Sequence, residues 1–110
     1  MNLIFVEALI ITIITEVSVG EVFVYFKDYK NYLLLIIAAG SVLTLPFVWF
    51  VFPILFESTF LYLFFSELFA VGAEALLITY LYKEIHFDTA ILLSLSINVA
   101  SFLIGVLIQL

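Results

Sequence analysis

The chain has 110 residues, of which 67% are hydrophobic and 11% charged, with a mean hydropathy of +1.40. Soluble domains are about half apolar and a quarter charged, so this composition excludes an ordinary soluble fold and identifies an integral membrane protein. The formal net charge is −6, but most of the acids interrupt apolar stretches instead of forming a solvated run. The absence of cysteine excludes disulfides, thiolate metal sites, a cysteine nucleophile and lipid attachment to cysteine.

Four apolar runs follow one another. The first span is expected over residues 3–26; no Lys or Arg precedes it and Glu7 and Glu16 interrupt it, which reads as a retained span and not a signal peptide. Lys27-Asp28-Tyr29-Lys30-Asn31 forms a polar turn with Asn31 as the expected N-cap of the second span, residues 32–52, which carries Pro46 near its far end. Pro53 is expected to end that helix, and Ser58 to cap the third span, residues 59–82. Lys83 to Asp88 makes the third turn, with Asp88 as the expected N-cap of a fourth span over residues 89–110. The expectation is one all-α membrane domain, residues 1–110, of four transmembrane helices arranged as two antiparallel hairpins.

All three lysines lie in the first and third turns, 27–31 and 83–88. The positive-inside rule then places those turns in the cytoplasm and both termini outside. Tyr25, Tyr29, Tyr32, Tyr80 and Tyr82 fall at the same level, as an interfacial aromatic belt would.

A shift of 58 residues lays residues 1–52 over 59–110 without a gap and matches Glu16 with Glu74 and Gly40 with Asn98. An alternative pairing of Glu7-Ala8-Leu9-Ile10-Ile11-Thr12 with Glu74-Ala75-Leu76-Leu77-Ile78-Thr79 matches more letters but not depth, because Glu7 is near the end of its span. The first register makes the two hairpins parallel repeats about an axis along the membrane normal.

Glu16, Glu67 and Glu74 fall well inside spans that contain no Lys or Arg. An acid at a helix centre costs about 2.5–3.5 kcal/mol on insertion scales. Holding a glutamate protonated at pH 7, from a reference pKa of about 4.3, costs about 3.7 kcal/mol. The two costs are similar, so each acid is expected to be neutral and hydrogen-bonded, or compensated by a cation, by water or by a basic residue of a partner. Thr12, one turn before Glu16, is its nearest local hydrogen-bonding candidate.

In the fourth span Ser94, Asn98, Ser101 and Gly105 recur at spacings of four, three and four, on one helical stripe. Ser94, Ser101 and Gly105 read as a helix-packing seam, and the one glycine in each span reads the same way. Asn98 becomes a ligand only if a carboxylate, Glu74 or Glu67, faces it. His86 has no second imidazole or thiolate to complete a metal site and reads as a surface residue. Trp49 reads as an interfacial or packing residue.

No phosphate-binding glycine loop, nucleophile elbow, HExxH or Gly-Asp protease pair occurs, which argues against an enzyme; no cofactor is called for. Three lysines and no arginine exclude a nucleic-acid footprint. In length, in four spans and in an acid in the first span the chain resembles the small multidrug-resistance transporters in architecture. Their glycine-rich helices and first-helix sequence do not occur here.

Two functions fit these residues. One is a homo-oligomeric carrier or channel, linked to protons or cations, in which Glu67, Glu74 and Glu16 bind the charge and Asn98 assists. The other is an accessory or assembly subunit of a larger membrane complex, whose glutamates pair with basic residues of the partner.

Overall fold

The computed structural model describes residues 4–109. It is 88% helical, and four helices are long and apolar enough to cross a membrane. These are α1 (Phe5–Lys27), α2 (Tyr32–Leu55), α3 (Thr59–Leu81) and α4 (Phe87–Gln109). Leu3 and Leu110, the expected outer limits of the first and last spans, lie outside the described residues. The body measures 40 Å along its longest axis, longer than a hydrocarbon core of about 30 Å.

Each helix contacts two others: α1 lies against α2 and α4, and α3 lies against α2 and α4. The turn of residues 28–31 meets that of 82–86 at one end, where Lys30 N–H donates to Tyr82 Oη at 2.9 Å and Lys30 Nζ lies 3.5 Å from a Glu84 carboxylate oxygen. At the opposite end Phe5 packs edge-on to Trp49, with ring centroids 5.8 Å apart. The outward faces carry exposed Ile10, Leu35, Leu68 and Leu92, as a helix wetted by lipid should.

The helix ends depart from expectation in several places. Glu7 folds back so that its carboxylate accepts the Ile4 N–H at 3.1 Å, which satisfies a donor at the start of α1. Helix α1 ends on Asp28 in the left-handed region, φ 58°, with Tyr29 N–H bonded to Val24 O at 3.1 Å. Asn31 stands before α2 in helical conformation and its side chain caps nothing. Ser58 does cap α3, accepting the Leu61 N–H at 3.4 Å. Asp88 lies inside the first turn of α4, where its carboxylate takes the Thr89 N–H at 2.9 Å.

Pro53 does not end α2. The helix is α-helical to Pro46, widens into a π-helix over Phe47–Val51 and resumes over Phe52–Leu55. In the widened segment Phe52 N–H bonds to Phe47 O, so the next carbonyl, Val48, is left facing the nitrogen of Pro53, which has no hydrogen. Tyr62 of α3 supplies the missing donor, its hydroxyl lying 2.9 Å from Val48 O. The chain thus carries a proline through an apolar helix by borrowing a side chain from its neighbour.

Tyr82 is also corrected. It does not join a belt at the interface but is fully buried, stacked on Tyr32 at 5.0 Å and edge-on to Tyr29 at 5.4 Å. Its ring closes an apolar core of Leu33, Ile37, Ile78, Leu93 and Ile97 that fills the half of the bundle nearest the lysine-bearing turns. Tyr25 and Tyr80 stay exposed.

Candidate functional site

Beyond this apolar half, at mid-depth, the bundle becomes polar. Glu16 of α1 and Glu74 of α3 both turn inward and are only 1% exposed. At their depth the outward faces of α1 and α3 carry Ile14 and Leu76, so each acid lies on the side of its helix that avoids lipid.

Donors from α2 and α4 converge on the two carboxyl groups. Ser41 Oγ lies 2.5 Å from Glu16 Oε1 and 3.5 Å from Glu74 Oε1, between the two acids. Ser101 Oγ donates to Glu16 Oε2 at 2.9 Å, and Asn98 Nδ2 donates to Glu74 Oε2 at 2.6 Å. The second hydrogen of that amide goes to Ser94 O at 2.8 Å, which fixes its orientation. Glu74 also lies against bare backbone: a Cβ on Gly40 would stand 2.8 Å from Oε1 and 3.0 Å from Cγ. Glycine at this position lets the acid reach Ser41.

Among the described residues no lysine or histidine side chain takes part in these contacts. Every named partner of the four carboxylate oxygens is a hydroxyl or an amide, able to satisfy either a carboxylate or a carboxylic acid. Among the described residues no group of three His, Cys, Asp or Glu side chains converges to hold a metal.

A cavity of about 260 Å³ begins at Glu16 and at Asn98, the partner of Glu74, and is lined by all four helices. It runs from Glu16 and Asn98 past Thr12, Ser66 and Glu67 to Ala8, Trp49 and Gly105, towards the end of the bundle where Phe5 and Trp49 meet. At roughly 30 Å³ per molecule this is room for about eight waters. Ser66 is 2% exposed and its hydroxyl has no hydrogen-bond partner among the described residues.

Glu67 stands apart from the pair. It is half-buried, borders the cavity on one side, and on the other borders a groove of about 500 Å³ between α3 and α4 whose remaining lining is apolar. The sequence places Glu67 and Glu74 on one face of a helix, and the structure turns only Glu74 into the centre of the bundle.

Of the stripe on α4, Ser94 holds α3 by donating to Val71 O at 2.7 Å, which is a packing contact. Ser101, read from sequence as packing, instead carries its hydroxyl to Glu16. Thr12 does not bond Glu16, whose partners come from other helices. Gly72 and Gly105 have nothing within 4 Å of an added Cβ, so close approach does not explain them. Sequence reasoning missed Ser41, Ser66 and Tyr62, while Gly40, read as a close-packing position, packs against Glu74. A serine or tyrosine inside an apolar run was the available signal, but such residues also bond their own helix, as Ser18 and Ser96 do here.

No protein-family model, curated protein or solved structure matches this sequence.

Proposed function

We propose that the protein is a small membrane carrier or channel in which the Glu16–Glu74 pair takes up and releases protons. The observation that carries the reading is the pair itself: two carboxyl groups, without a basic neighbour, bridged by Ser41, with Glu16 on the wall of a cavity that carries further polar side chains. Two adjacent carboxylates in a medium of low dielectric repel strongly, and a proton bound between them removes that repulsion. The hydroxyl and amide donors hold the two carboxyl groups in place, so that the pair keeps its geometry as a proton comes and goes.

In this reading Asn98 and Ser101 position the acids, and Glu67 is a third exchangeable acid nearer the cavity mouth. The two hairpins are parallel repeats with Glu16 and Glu74 at equivalent depth. The helix contacts support that symmetry, since the register exchanges the α1–α2 contact with α3–α4 and the α1–α4 contact with α2–α3, and all four occur. The lysine-bearing turns face the cytoplasm and the cavity opens to the outside.

Assembly is part of the proposal, as a homo-oligomer or with a larger membrane protein. The accessory reading has one specific support, Glu21, which is exposed on the outer face of α1 and open to a basic residue of a partner. Glu16 and Glu74, turned inward, are not placed for such docking.

The test is proton flux into liposomes holding the purified protein and a trapped pH-sensitive dye. Flux is expected from the native chain and is lost in both Glu74→Gln and Glu16→Gln. Native-level flux in both variants removes the proposed role of the pair. The particle size in mild detergent separates the two assemblies.

A further inference from the structure

Cavity and core divide the bundle unequally along its length. From Glu16 towards the Glu57 turn the interior is a space on whose wall Thr12, Ser66, Glu67 and Asn98 stand among apolar residues such as Ile11 and Phe102. From Glu16 and Glu74 towards the His86 turn the interior is filled by Leu33, Ile37, Ile78, Leu93 and Ile97 and closed by the Tyr82 ring. The second, independent observation is Ser66. A buried hydroxyl without a partner is uncommon in folded proteins and usually has a water molecule that satisfies it. Its Oγ has almost no accessible surface and no hydrogen-bond partner among the described residues, and the residue lines the cavity.

We infer that the cavity is a hydrated half-channel, in which Ser66 anchors water and Glu67 flanks the path, so that the carboxyl pair exchanges with the aqueous phase at the Glu57 end alone. Water is the ligand of this site. The inference rests on the proposed proton role of the pair and adds a direction to it: in this conformation a proton reaches Glu16 and Glu74 from one side of the membrane, and delivery to the other side requires the Tyr82 end to open.

The chain contains no cysteine, so single cysteines report access without a background. E57C and H86C, both at exposed turn positions, mark the two sides of sealed vesicles. T12C and S66C probe the cavity at depth, and G105C probes it where an added side chain meets nothing within 4 Å. Each variant is treated with a small membrane-impermeant methanethiosulfonate from one side and then the other.

The expected result is labelling of T12C, S66C and G105C from the side that labels E57C, and loss of labelling from the side that labels H86C. Should S66C not fold, T12C carries the same expectation on a different helix. Labelling of the deep cysteines from the H86C side, or from both sides, overturns the inference. So does complete protection of T12C and S66C while G105C reacts. The readout needs no flux: sided labelling in a chain that moves no protons overturns the carrier reading alone, and proton flux with unsided labelling overturns the half-channel alone.

Discussion

The carboxyl group of Glu74 rests directly on the backbone of Gly40, with no room for a methyl group between them. Because Asn98 holds the other oxygen at 2.6 Å, the side chain cannot retreat without losing a buried hydrogen bond. Gly40→Ala gains up to about 1 kcal/mol of helix propensity but overpacks a pinned site, an effect of about 1–3 kcal/mol. The net expectation is a lower unfolding temperature in detergent. Gly72→Ala, with open space around it, takes the propensity gain alone and is neutral or stabilising. A Gly40→Ala protein as stable as Gly72→Ala contradicts this account of the contact.

Charge and hydrogen bonding at the pair are separable. Glu74→Gln keeps the size and an acceptor for Asn98, and its amide hydrogens can bond towards Ser41 and Glu16. Its stability is expected to equal or exceed that of the native chain while proton flux disappears. Asn98→Leu strips the donor from Glu74 Oε2 and is expected to cost about 1–3 kcal/mol, the usual penalty for an orphaned buried polar group. Thermal unfolding and flux measured on the same preparations distinguish the two, and parallel losses of stability in both variants argue against the assignment.

Tyr62 and Pro53 act on one carbonyl and are therefore coupled. With the Tyr62 hydroxyl at 2.9 Å from Val48 O, Tyr62→Phe leaves that oxygen without a donor. The expected loss is about 1–3 kcal/mol. In a Pro53→Ala background the new N–H can bond within α2, and Tyr62→Phe is expected to cost measurably less. A double-mutant cycle reads the difference, and strict additivity dissociates the tyrosine from the proline.

At the lysine-bearing end the buried ring outweighs the surface ion pair. Lys30 and Glu84 are 3.5 Å apart, but both side chains are more than half exposed, 68% and 61%. Glu84→Gln is thus expected to change stability by less than about 1 kcal/mol, with little dependence on salt afterwards. Tyr82→Ala removes a fully buried aromatic side chain and is expected to cost about 3–5 kcal/mol. Equilibrium unfolding across a salt series tests both.

The spans were legible because each is a long apolar run, and the intramembrane acids because nothing in those runs neutralises them. Asn98 was legible as a ligand only on condition that an acid faced it, and Glu74 does. The hydroxyl partners were not. Ser41 is 25 residues from Glu16 and Ser101 is 85 residues away, so no local spacing connects them. Tyr82 was misplaced for a related reason. Tyrosine at the end of a span fits an interface as well as a core, and its burial depends on the turn of residues 28–31 folding over it. Pro53 looked like a helix end because the donor that rescues Val48 belongs to another helix.

The wiring of Glu16 has a consequence for how the protein is made. Its first donor, Ser41, arrives with the second helix, and its last, Ser101, near the end of the fourth. Glu74 likewise obtains Asn98 only from that final helix. During synthesis the two acids therefore enter the bilayer before their full complement of partners exists, and the last helix completes the coordination of both at once. A nascent chain that stalls before residue 98 presents incompletely satisfied carboxyl groups at mid-depth, a state that cellular quality control can recognise as unfinished.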